Sequence, residues 1–181
     1  MIRYKFDEKK TTQMASHLLQ SNGGKMNHMK LVKLIYLSDR ESLRRWNHPM
    51  TGDDYYSLPH GPIVSRTLNM LNRKVSASYW GKFISERSGN TVRLLKRCTA
   101  RQLSIRELRL LDELFEQFKE YDEFKLRDYC HALPEYKNPG RSRIPILVED
   151  ILRALRKPET EILRIEAEEE SLAEIRRFAV T

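Results

Sequence analysis

The residues able to carry acid–base, metal or phosphate chemistry are few and poorly grouped. The histidines are His17, His28, His48, His60 and His131. None stands in the HxxxH or HExxH spacing that turns two imidazoles of one helix towards a metal. Cys98 and Cys130 form no CxxC pair, so no zinc ligand set is visible. Cys130 and His131 are adjacent, and neighbours on a helix point roughly 100° apart. An arginine to stabilise a phosphorane and a histidine to shuttle protons would suit RNA cleavage. Arg127–His131 and Arg44–His48 offer that pair, but each is one residue closer than the spacing helical ribonucleases use. The phosphate loops GxGxxG and GxxxxGKS/T are absent, as is the GxSxG nucleophile elbow. The expectation is a chain with no catalytic residue, no metal and no cofactor.

What remains is charge. Lys30, Lys33, Arg40 and Arg44 recur at helical spacing and define a basic stripe. Lys33, Arg40 and Arg44 are therefore candidate partner-binding residues. The plainer alternative is a solvated face whose long side chains skirt an apolar arc. Asp39 and Glu41 lie within the stripe region and blunt its attraction for phosphate. No helix-turn-helix pattern precedes it. The net charge of +8 is uneven: from Lys157 onward four Lys/Arg face seven Asp/Glu, whereas the rest holds 29 basic and 18 acidic residues. A basic body suits an anionic partner, nucleic acid or acidic protein, although no motif specifies a nucleic acid.

These residues need a scaffold, and the chain can build one. At 181 residues with 40% hydrophobic content it can bury roughly 70% of its unfolded surface without a disulfide or metal. Its longest apolar run, Leu34 to Leu37, is far below the roughly 20 residues of a membrane span. With no leader-like N-terminus and only two cysteines, a cytoplasmic protein without membrane contact is expected.

Hydrophobic periodicity predicts a helix over 8–21, stopped by Asn22-Gly23-Gly24, and a central helix over 27–46 rich in Leu, Ile and Val. His60-Gly61-Pro62 is expected to be structural, opening a third helix with Pro62 at its first position. Residues 50–60 read as extended loop or short strand. Alternation over 82–87 and 91–95 predicts one small β-hairpin through Ser88-Gly89-Asn90. Ser104 and Glu107 form a capping box that starts a helix reaching about Tyr121. Shorter helices are expected over 124–133 and 147–155, with ordered loop over 135–146. Past Pro158 a charged helix carries an apolar stripe of Ile162, Ile165, Leu172, Ile175 and Ala179. That helix could pack on its own body, pair with a second copy as a homo-oligomer, or dock on a partner. The fold class is mainly α, a compact multi-helix domain over 1–157 with a C-terminal amphipathic helix over 158–181. The body is expected to fold without that helix.

The segment Met29-Lys30-Leu31-Val32-Lys33-Leu34-Ile35-Tyr36-Leu37-Ser38-Asp39-Arg40 resembles the opening of the Panacea domain, the SocA-like antitoxin family, whose hallmark is a K-L-x-K-L-x-Y helix. The resemblance continues through Pro49-Met50-Thr51-Gly52-Asp53, His60-Gly61-Pro62-Ile63, Ser104 to Leu114 and Leu126 to Pro134, covering about residues 5–135. It implies an α-rich domain that binds and neutralises a cognate toxin protein in bacteria or their phages. Many such toxins inhibit translation, and the family has no agreed catalytic residue to carry over. The tail beyond Pro158 departs from the pattern, so Leu172, Ile175 and Phe178 are candidates for recognition particular to this chain. A nucleic-acid-binding regulator using the basic body is the rival, and an RNA-cleaving enzyme the weaker third reading.

Overall fold

A computed structural model describes residues 1–72 and 79–178. Helix α1 (Glu8–Ser21) starts where Asp7 accepts the Lys10 N–H at 2.9 Å and ends at Asn22-Gly23-Gly24, both glycines having positive φ. Helix α2 (His28–Trp46) is capped by Asn27, which accepts the Met29 N–H at 2.8 Å, and ends in left-handed Asn47. Leu31, Leu34, Ile35 and Leu43 are fully buried on it. Helix α2 is the axis of the molecule: α1, α4, α5 and a small sheet all pack against it. That is why its apolar arc is wider than a surface helix needs.

Two antiparallel sheets join the helices. β1 (Lys25–Asn27) pairs with β4 (Thr91–Arg93), setting Lys25 opposite Arg93 and Met26 opposite Val92. The second sheet has the order β3-β2-β5, with β2 at Tyr55–Leu58, β3 at Gly61–Val64 and β5 at Ile144–Ile146. Helix α3 (Ser65–Leu71) follows β3, and a 3-10 turn at Trp80–Lys82 precedes β4. Then come α4 (Ile105–Phe118), α5 (Glu123–His131), α6 (Val148–Ala154) and α7 (Glu159–Phe178). The mainly α architecture is the expected one. The Ser104–Glu107 capping box is present in both directions. Glu107 also meets Lys10 of α1 at 2.6 Å, which fixes where α4 begins against the body.

Three local expectations need correction. His60-Gly61-Pro62 does not open a helix: Leu58 faces Gly61 and Ser57 faces Pro62 across the β2–β3 hairpin, so Pro62 is a strand residue. Helix α3 waits until Ser65 because its cap comes from upstream, where the Asp53 carboxylate accepts the Arg66 N–H, the Thr67 N–H and the Thr67 hydroxyl. Residues 82–87 and 91–95 do approach each other, through bridges Ile84–Leu94 and Ser88–Thr91, but the ladder strand at 91–93 takes β1 as its partner. The loop read over 135–146 contributes β5, whose central Pro145 removes a donor from a sheet edge and blunts it against pairing.

The core continues past Pro158. Ile162 and Ile165 of α7 are buried, Asn47 donates to Glu161 at 2.6 Å, and the N-terminal amine bonds Glu166. The outer half of α7 leaves the body. Ala179, the last residue of the expected stripe, lies outside the described residues.

Candidate functional site

The spacing of Lys33, Tyr36 and Arg40 on α2 puts them on one face, and the fold turns that face inward. The Lys33 ammonium donates to the His60 carbonyl at 2.5 Å. Tyr36 donates to Glu135 Oε1 at 2.9 Å. Arg40 donates from Nε to Glu135 Oε1 at 2.6 Å and from Nη2 to Oε2 at 3.3 Å. From the end of α5, His131 stacks on Tyr136 with ring centres 4.6 Å apart, and Tyr136 donates to the Leu58 carbonyl at 3.1 Å. The chain from 131 to 137 is thereby sewn to α2 on one side and to the β2–β3 hairpin on the other.

Gly61 closes this knot. Its φ is +98°, and a Cβ there would stand 2.6 Å from Lys33 Nζ and 3.2 Å from His131 Cδ2. The expected structural role of His60-Gly61-Pro62 thus takes a specific form: the backbone at 60 and 61 must lie flat on a buried ammonium, and only glycine permits it.

Burial sets the electrostatics. It pushes the Lys33 amine down to about 8 and the Cys130 thiol up to about 11. His131 is also pushed down, first by burial and then by the Lys33 cation. Tyr36 is raised well above the ordinary phenol range by burial and by Glu135. The His131 Nε2 is buried with no hydrogen-bond partner among the described residues. Shifted groups collected in one place resemble an active site. Yet Lys33 is 1% exposed and lines neither of two grooves formed among the described residues. One groove of about 480 Å³ runs between the N-terminal segment and β5, past Tyr4, Asp54, Tyr56 and Arg66. The other, about 190 Å³, lies between α2, α4 and α5 beside Arg45, Glu113 and Tyr129. The knot ties α2, α5 and the β2–β3 hairpin together.

The expected basic stripe does not form an open face. Lys30 and Lys33 are buried, with Lys30 donating to the Lys119 carbonyl at 2.8 Å. Arg40 is committed to Glu135, and Arg44 is exposed but held by Glu41 at 2.5 Å. Asp39 is no surface charge either. It accepts from Met50 N–H, Thr51 N–H, Tyr55 OH and the Thr51 hydroxyl, and so orders the stretch leading to β2. Burial raises its carboxyl to about 6 against the pull of those donors. Of the weighed histidine pairs, Arg127 is paired with Asp128, and His48 Nδ1 lies 2.6 Å from the Pro49 carbonyl.

Leu172, Ile175 and Phe178 fall three residues apart on the outer half of α7, exposed by 42%, 63% and 82%. Lys33 and Arg40 meet each other's neighbours in the knot; the α7 residues stand apart from it. Glu135 was missed because nothing local marks it, and its meaning comes only from the return of the loop to α2. Tyr36 stood in plain view in the K-L-x-K-L-x-Y block without its partner being readable.

A family model described as antitoxin SocA-like, Panacea domain, matches residues 31–137. No curated protein and no solved structure matches the chain. The matched span starts in α2 and stops just after Glu135 and Tyr136, so it holds the side chains that close the knot. Helix α7 lies outside it.

Proposed function

We propose, from the premise that this chain belongs to the SocA-like antitoxin family with a Panacea domain, that it neutralises a toxin protein by binding it directly. A translation-inhibiting toxin is the kind the family would lead one to test first. The observation that carries the contact site is the outer half of α7. Three large apolar side chains there are exposed on one helix, flanked by Glu168, Glu170, Glu174 and Arg176. Apolar anchors with a charged rim suit docking of a helix into a groove on another protein. On the same helix it is Ile162 and Ile165 that are buried against the body. A binder of this kind needs a rigid frame and no reacting group, and the buried knot supplies such a frame. Among the described residues no helix is long and apolar enough to cross a membrane.

The test is growth rescue. Cells expressing a growth-arresting protein encoded beside this one are supplied with the full chain, with Leu172→Glu/Ile175→Glu, or with the chain cut after Glu170. The full chain restores growth and the two variants do not, while both variants melt as cooperatively as the parent. Full rescue by the variants would move the contact from α7 to the body.

A further inference from the structure

The sheet β1–β4 and the connection to α4 carry a surface that neutralisation by α7 leaves unused. Between Tyr79 and Arg106 the chain has seven Lys/Arg against the single Glu86. Lys82, Arg93, Lys96, Arg97 and Arg101 are exposed, as are Lys25 on β1 and Lys9 on α1. None of these seven cations has an ion pair with a described carboxylate. Lys25 stands directly opposite Arg93 in the β1–β4 register, and like charges so placed repel. Met26 and Val92 are buried on the inner face of this sheet, so the Lys25–Arg93 pair lies on the outer one.

Aromatic side chains are set among these charges. The rings of Tyr79 and Phe83 lie 5.0 Å apart, both half-buried. The Lys9 ammonium sits 6.0 Å from the Tyr79 ring centre and the Lys96 ammonium 5.1 Å from that of Phe83. Three backbone N–H groups hold the platform: those of Tyr79 and Trp80 both donate to the Glu8 carboxylate, and that of Leu95 donates to the Phe83 carbonyl. Leu95 is 59% exposed beside them.

We propose that this outer face, formed by Lys9, Lys25, Tyr79, Phe83, Arg93 and Lys96, binds single-stranded nucleic acid. Protein surfaces mix both signs of charge, and the cations a partner protein presents would find few carboxylates here. A run of phosphates is uniformly anionic and matches a patch of one sign. Half-buried rings set among cations offer unpaired bases a surface to stack on beside the charges that hold their phosphates, whereas the bases of a duplex are already stacked within it. The Tyr79–Phe83 pair therefore selects single strands over duplex. The activity is separate from toxin binding and uses no residue of α7.

The experiment is fluorescence anisotropy of the full chain with a labelled oligouridylate of about 20 nucleotides, between about 50 and 200 mM salt. Binding is expected to weaken steeply with salt and to exceed binding to a duplex of the same length. Arg93→Glu/Lys96→Glu/Arg97→Glu is expected to weaken it more than tenfold. The same charge change at the exposed Lys137, Arg141 and Arg143 is expected to have a much smaller effect. Tyr79→Leu/Phe83→Leu, checked by thermal melting, is expected to weaken it roughly tenfold at constant charge. The proposal is overturned by any of three results: no oligonucleotide binding at the lower salt, equal losses from the two charge-reversed triples, or a patch variant that loses toxin binding alone. Should the aromatic variant fail to fold, the comparison of the two triples decides by itself.

Discussion

Among single residues, the packing of the knot turns on a lysine that is buried and still bonded. Lys33 has one carbonyl partner and a folded pKa of about 8, below the 10.5 of an unburdened amine. The folded state therefore holds fewer protons than the unfolded chain between those values, and stability should rise with pH across that window. Relative to a Lys33→Met variant, the wild type should gain about 2–3 kcal/mol between pH 7 and 10.5, read by denaturant unfolding at each pH. A constant difference would mean that the amine is as well solvated as in the unfolded chain. Gly61 gives the companion prediction. Gly61→Ala forces a side chain into positive φ and onto Lys33 Nζ, and should cost about 2 kcal/mol or more. In a double-mutant cycle the loss should shrink by at least about 0.5 kcal/mol in the Lys33→Met background, where the ammonium is gone. Additive losses would place the strain in the backbone alone.

At the scale of elements, α7 divides into a half that belongs to the core and a half that does not. Cutting the chain after Lys157 removes the buried Ile162 and Ile165 and should cost about 4 kcal/mol or more, enough to unfold a marginal domain. Cutting after Glu170 should leave the melting temperature nearly unchanged. Equal melting of the two truncations would show that α7 contributes no core. The periodicity of the tail announced its apolar stripe but not this division, because burial of Ile162 depends on what α6 and the N-terminal segment bring to it. The other elements show the same pattern. Asn22-Gly23-Gly24 and the Ser104–Glu107 box are local signals, and α1 ends and α4 begins where those residues dictate. The second sheet was read poorly for the opposite reason. β2 and β5 lie far apart in the chain, and the Asp53 cap that delays α3 acts across a hairpin. Lys33 and Arg40 were legible as one face of α2. That the face is sealed by Glu135 and the His60 carbonyl was not, since the sealing groups lie on other elements. The apolar stripe of α7 was legible because helical spacing within one element sets it.

At the scale of the whole molecule, the frame is basic, the C-terminal helix is acidic, and the reacting groups are shut inside. Neutralisation as proposed is stoichiometric binding through an exposed surface. The most direct measurement is a titration of a fixed amount of purified toxin with this protein, following residual toxin activity and the mass of the complex by light scattering. A linear fall to an end point at a fixed, small whole-number ratio is expected, with a complex of matching mass. Silencing of excess toxin by a small fraction of an equivalent, with no complex formed, would contradict it and make the protein a catalyst.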